Sequence, residues 1–231
     1  MNAPVRAATS LRARAYESFQ RQIVEANVRP GQFISQRELV QLLDMPLGAV
    51  RELIPRLEAE GLLRTVPQRG LQIAHVDLTL INNAFQLRLI LEREAAARFC
   101  ASVSDADLAA IEDAHLRIVQ RATAGPIDAE VLTDAQTVDW GLHDLMIDAL
   151  GSALISETYR VNSLRVRLIR LERAMLSADA LLPAMEEHLW FIDALKQRDE
   201  AQVVHRLSHH IESAHRRVLG LPRPPLPIDS Q

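Results

Sequence analysis

Asp139 and His143 stand four residues apart, and the run EEHLWFIDALKQRDEAQVVHRLSHH, Glu186 to His210, opens on His188 and closes on the pair His209-His210. On a helix, residues four apart share a face with their Cβ atoms roughly 6 Å apart, so one carboxylate and one imidazole there can grip a single ion. His188 and His210 fall on what read as the last two helices. A bundle core that gathered all four would offer one oxygen and three nitrogens, a set suited to zinc, nickel, manganese or iron. An isolated Asp-x-x-x-His is more often a surface ion pair or a capping contact. The last helix also carries His205, His209 and His215. With Val203, Val204, Leu207, Ile211 and Val218 as its buried stripe, His205 and His209 point away, whereas His210 and His215 sit at opposite edges. Periodicity leaves both of these open. Such a set could also activate water in a hydrolase or lyase; Asp144 and Asp148 lie nearby, but no separate acid stands at helical spacing as a general base. A purely structural ion is a third reading.

The elements that must position these residues are helical. The spacing predicts helices over Leu80 to Ala101, Ser104 to Thr123, Asp128 to Leu150, Leu154 to Leu176, Pro183 to Arg198 and Glu200 to Leu219, with Ser104 and Asp199 as helix starts. Gly125-Pro126, Gly151-Ser152 and Ala180-Leu181-Leu182-Pro183 mark breaks. An antiparallel all-α bundle over 80–220 follows, after a short linker at 76–79 and before a proline-rich tail, 221–231, expected to be disordered or extended.

Residues 1–75 have another texture. Leu11 to Asn27 has helical apolar spacing, Ser35-Gln36-Arg37-Glu38 has the form of a capping box, and Pro46 suits the first turn of a third helix that ends at Gly61. Pro55 inside that helix is a local cost. LLRTV and LQIAHV flank Pro67-Gln68-Arg69-Gly70 as two strands about a turn. Three short helices and a hairpin make a winged helix-turn-helix, in which the third helix enters the major groove and the hairpin tip reaches the minor groove. Arg37, Arg51 and the tip Gln68, Arg69 and Gly70 are the candidate contacts to double-stranded DNA.

Charge agrees with this division. The whole chain of 231 residues carries a formal −4. Residues 1–75 hold ten arginines and seven acids, net +3, and the remainder holds sixteen basic and twenty-three acidic residues, net −7. The basic part is the one fitted to a polyanion. No apolar run approaches the ~20 residues of a membrane span, and MNAPVRAATS lacks a signal core, so a cytoplasmic protein is the default. Cys100, the single cysteine, lies in the apolar run AAARFCA and reads as a small buried hydrophobe.

The stretch RPGQFISQRELVQLLDMPLGAVRELIPRLEAEGLLRTVPQRGLQIAHV resembles the N-terminal domain of the GntR family of bacterial transcriptional regulators. Pro30-Gly31, Leu39, Leu43, Val50-Arg51-Glu52, Leu57, Gly61-Leu62 and Arg69-Gly70 fall in register with that family's pattern. Where the family usually has Ser-Arg-Thr-Pro, this chain has Pro46-Leu47-Gly48-Ala49, which shifts DNA contact onto Arg37, Arg51 and Arg69.

The rest is similar to the FCD-type ligand-binding domain of FadR-like GntR regulators that carry a metal. Arg88 and Glu92 match its Arg-x-x-x-Glu, Asp139 and His143 its Asp-x-x-x-His, and Glu187-His188, Asp199 and His210 its last element. The resemblance implies a divalent metal, zinc first, then nickel, manganese or iron, held by Asp139, His143, His188 and His210, with open positions for the carboxylate of a small organic acid effector. It makes Arg88 the partner for that acid, unless Arg88 is spent on a salt bridge to Glu92, with Arg165 or Arg167 as further candidates. It implies a homodimeric, non-enzymatic regulator that binds a DNA operator, with ligand-released repression as the family's commoner mode.

Overall fold

The computed structural model describes residues 10–172 and 178–225. The chain divides into two compact units: described residues within Met1–Asp77 and Leu164–Glu172 form one, and those within Leu78–Ser163 and Arg173–Gln231 the other.

The first unit contains α1 (Leu11–Val24), β1 (Phe33–Ile34), α2 (Gln36–Leu43), α3 (Leu47–Ala59), β2 (Leu63–Val66) and β3 (Gly70–Ile73). Helix α2 starts where the capping box places it: the Ser35 hydroxyl accepts from Glu38 N–H and the Glu38 carboxylate accepts from Ser35 N–H at 2.7 Å. Helix α3 starts one residue later than expected, because Pro46 takes an extended ψ of 145° and occupies the cap rather than the first turn. It passes through Pro55 without ending, and the chain leaves it at Gly61 with φ +65°. The sheet order is β1-β3-β2, all antiparallel. Strand β1 is missing from the sequence reading, since two residues carry no periodicity. At the turn, Gly70 has φ +89°, and a Cβ there would sit 3.2 Å from the Ile34 carbonyl oxygen. Phe19, Ile23, Leu39, Leu43, Val50, Leu53, Leu57, Leu71 and Ile73 fill the core, joined by Leu164 and Leu168.

The second unit is helical: α4 (Leu78–Ser102), α5 (Asp105–Ala124), α6 (Ala129–Asp148), the first part of α7 (Ala153–Glu172), α8 (Ala178–Gln197) and α9 (Glu200–Val218). Ser104, Asp128 and Asp199 cap α5, α6 and α9 by accepting from the N–H three residues on. Pro183 does not start α8 but lies in its second turn, where its missing N–H leaves the Asp179 carbonyl without its helical donor. The last residues expected in α7, 173–176, lie outside the described residues, as do 226–231 of the tail. Among the described residues no helix is long and apolar enough to cross a membrane.

Candidate metal centre and DNA-reading surface

Helix α6 places Asp139 and His143 one turn apart on its inner face, α8 supplies His188 and α9 supplies His210. Their ligand atoms all lie within 4.8 Å of one another, and all four residues are buried. His188 Nε2 is 3.2 Å from both His210 Nε2 and Asp139 Oδ1.

The opposite edge of each imidazole is engaged. His115, on α5, has Nδ1 2.7 Å from the Ile111 carbonyl, which can only accept, so Nδ1 carries the proton and Nε2 is bare. That Nε2 lies 3.0 Å from His188 Nδ1, which therefore donates to it. His210 Nδ1 donates to Glu187 Oε2 at 2.9 Å. His143 Nδ1 is 2.7 Å from Glu92 Oε2, within proton-sharing distance though off the linear hydrogen-bond direction. These partners assign the tautomers. They leave the Nε2 lone pairs of His188 and His210 facing each other at 3.2 Å, with the Asp139 carboxylate beside them. Burial pushes the His188 imidazole well below its ordinary value and lowers His210 too, so neither gains a proton readily to relieve the clash. Two buried imidazole lone pairs turned on each other beside a carboxylate are what a divalent cation fits, and outer carboxylate, imidazole and carbonyl partners are how ligating histidines are held.

Arg88 meets this cluster. Its Nε donates to Glu92 Oε1 at 2.5 Å and its Nη2 to His143 Nε2 at 2.7 Å, while the Tyr159 hydroxyl donates to the same Glu92 oxygen at 3.0 Å. Burial alone would raise the Glu92 carboxyl, but Arg88 and His143 overcome it and hold it at about 2. The Arg88–Glu92 salt bridge and the approach of Arg88 to the cluster thus occur together.

The structure brings Asp139, His143, His188, His210 and Arg88 together and leaves the other candidates elsewhere. Arg165 is not at the cluster: within the first unit its guanidinium donates from Nε and Nη2 to the Glu60 carbonyl, closing the C-terminus of α3, where a cation suits the helix dipole. His215 stacks on Phe85 with ring centroids 4.8 Å apart and bonds Asn82. His205 is exposed beside Trp190. His209 is not in open water as the helix periodicity suggests; it is half-buried against Trp190 and bonds the Pro225 carbonyl. Asp199, matched within the last metal element, caps α9. Sequence reasoning missed His115, whose place seven residues after Leu108 and three before Ile118 on the buried stripe of α5 was the available signal. Cys100 is buried.

On the first unit, Arg37 on α2, Arg51 on α3 and Gln68, Arg69 and Gly70 at the hairpin tip are all exposed. The Arg69 guanidinium rests 4.3 Å from the Phe33 ring, which tethers it to β1 and holds the tip in one place. Leu47, Gly48, Glu52 and Pro55 share the exposed side of α3 with Arg51.

Residues 11–73 match the bacterial regulatory proteins of the gntR family, and residues 83–213 match the FCD domain. The chain is 24% identical over 200 residues to the HTH-type transcriptional repressor RspR of Escherichia coli K12, covering 85% of this chain and 84% of that one. It is likewise 24% identical to the Nta operon transcriptional regulator of Aminobacter aminovorans, covering 87% and 90%. Among solved structures, E. coli McbR/YncC superposes with a TM-score of 0.77 at 18% identity, covering 92% of this chain and 99% of that one. A GntR transcriptional regulator from Rhodococcus sp. RHA1 gives 0.72 at 21% identity over the same shares. A winged helix-turn-helix followed by an FCD domain makes this chain a member of the GntR family of transcriptional regulators.

Proposed function

We propose that this regulator is a homodimeric, cytoplasmic repressor whose operator binding is controlled by a small organic acid bound at a divalent metal in the helical unit. The observation that carries the proposal is the convergence of one ligand atom from each of three buried imidazoles and one carboxylate within 4.8 Å, each imidazole with a partner at its other edge. Asp139, His143, His188 and His210 would hold the ion, zinc first, with nickel, manganese or iron as alternatives. A bound ion would supply a Lewis acid with coordination positions left for a carboxylate. Arg88 supplies the second half of the recognition. Its Nε stays on Glu92, and once His143 Nε2 is engaged by a cation, Nη2 has no acceptor there and is available to a carboxylate. Repression is suggested by the repressor among the relatives. Two-fold operators suit a dimer, and a coupling of about 1–3 kcal/mol between effector and DNA would make a usable switch.

The acids around the cluster favour sensing over catalysis. Glu92 and Glu187 are each committed to an imidazole and an arginine, and Asp148 pairs at the surface with Arg160 and Ser156. None is positioned as a spare base for water. The test is elemental analysis of the purified chain, followed by a thermal-shift screen against small mono- and dicarboxylates with the metal present, since a ligand of the folded state raises apparent stability. An acid that raises the midpoint only when metal is bound, and shifts operator affinity, is the expected result. A chain without metal, or one whose operator affinity no carboxylate alters, sinks the reading.

A further inference from the structure

Beyond the end of α9 the chain takes Gly220 with φ +71° and turns back. Residues Leu221 to Pro225 have no regular secondary structure, yet they are tied down at several points. Arg216 Nε donates to the Pro222 carbonyl at 2.9 Å, and His209 Nε2 donates to the Pro225 carbonyl at 3.0 Å. Arg223 Nη2 donates to the Pro183 carbonyl at 3.2 Å. From the same guanidinium, Nε donates to Glu187 Oε1 at 2.7 Å. Glu187 is fully buried, and its other oxygen is the one that accepts from His210 Nδ1. Ser213 shares Oε1 at 2.6 Å, while Arg217 stands off at 3.8 Å.

We propose that Pro222 to Pro225 is a strap that positions the metal centre: Arg223 fixes the Glu187 carboxylate in the orientation that aims His210 into the cluster, so the strap sets how tightly the ion is held. Three of these four residues are proline, and fixed φ angles lower the entropy lost when the segment is pinned. The guanidinium does two jobs that an ammonium cannot do in the same geometry, reaching Glu187 with one nitrogen and the Pro183 carbonyl with another. Without it, a buried carboxylate keeps the Ser213 hydroxyl and the more distant Arg217, and loses the partner that holds it from the strap side. His209 then has a role beside its neighbour: His210 faces the ion and His209 anchors the strap. Arg223 is a positioning residue, acting through Glu187.

This inference rests on the metal reading above. Its test is zinc affinity of the full chain, by competition with a chromophoric chelator, for the wild type, Arg223→Ala, Arg223→Lys, His209→Ala and His188→Ala. Loss of a partner in the outer shell of a metal site weakens binding about 10- to 100-fold, and Arg223→Ala is expected near the lower end, about 10-fold. Arg223→Lys should recover part of that loss, and His209→Ala, which loosens the strap without touching Glu187, should lose less than Arg223→Ala. Matching far-ultraviolet circular dichroism and unfolding midpoints of the zinc-free proteins separate this from misfolding. If Arg223→Ala and His209→Ala bind zinc as the wild type does while His188→Ala does not, the strap has no hold on the centre and the inference is overturned. If His188→Ala also keeps its zinc, the centre is misassigned and both readings fall.

Discussion

The two units bury opposite things. In the winged helix-turn-helix unit the interior is apolar, built on Phe19, Leu39, Leu53, Leu57 and Ile73, and the arginines assigned to DNA stand outside. In the helical unit the interior holds Arg88, Glu92, His115, Asp139, His143, Glu187, His188 and His210, each with under a tenth of its surface exposed. An arginine left in water attracts a polyanion through a screened, long-range field. A carboxylate or imidazole taken out of water costs several kcal/mol unless a partner of the right sign is fixed beside it. The first arrangement suits a large, multiply charged partner that stays outside the protein. The second suits one small ion and one small acid that come inside, and its cost explains why so many outer partners are recruited.

That contrast predicts where substitutions act. The largest effect should come from opening the interior set: His188→Ala or His210→Ala should reduce zinc content to background. At free zinc of about 1,000 times Kd, loading should stabilise the wild type by about 4 kcal/mol, measured as the difference between zinc-saturated and chelated unfolding curves, and both variants should lack this gain. His215→Ala, on the other edge of α9, should keep the zinc; losing it would mean that the wrong edge was chosen. Next comes the outer set. Arg51→Ala should weaken operator binding by about 1–3 kcal/mol with zinc content unchanged, and Arg37→Ala should lower the slope of log affinity against log salt by about one if it contacts a phosphate. An outer substitution that strips the metal would break the division between the two regions.

A smaller effect concerns the start of α2. Ser35→Ala should cost about 1 kcal/mol of folding stability, read by chemical denaturation, because Glu38 N–H loses its cap. The weakest effect is its pH dependence. Hydrogen bonds from Ser35 hold the Glu38 carboxyl below 4.5, so the unfolded chain binds the proton more readily than the folded one. The Glu38 contribution is therefore present above pH 4.5 and lost as pH falls through the depressed folded value. Denaturation curves for the wild type and Glu38→Ala should converge in that range, and a gap that stays constant with pH would rule out the carboxylate half of the capping box.

Local features were legible where a few consecutive residues decide them. The capping box at Ser35 and Glu38, the N-caps at Ser104 and Asp199 and the stop at Gly61 involve groups within three or four positions. The reading failed where long-range contacts decide. Strand β1 exists because Phe33 and Ile34 find Gln72 and Leu71 across the sheet. Pro183 looked like a helix start, yet α8 begins at Ala178. Arg165, one of many basic residues on helices, is claimed by a carbonyl 105 positions away in sequence.

The amino-acid order by itself determined the two-part organisation, the basic and acidic division and the candidate residues Asp139, His143, His188 and His210. The first two follow from composition and periodicity along the chain, and the set of four, with His210 rather than His215, is what the resemblance to the FCD-type domain implies. Only the tertiary structure decided that those four meet, that Arg88 and Glu92 join them, and that His115, Glu187 and Arg223 stand behind them. A buried polar side chain is positioned by whatever lies opposite in the packed core, and those partners come from segments 22 to 73 residues distant.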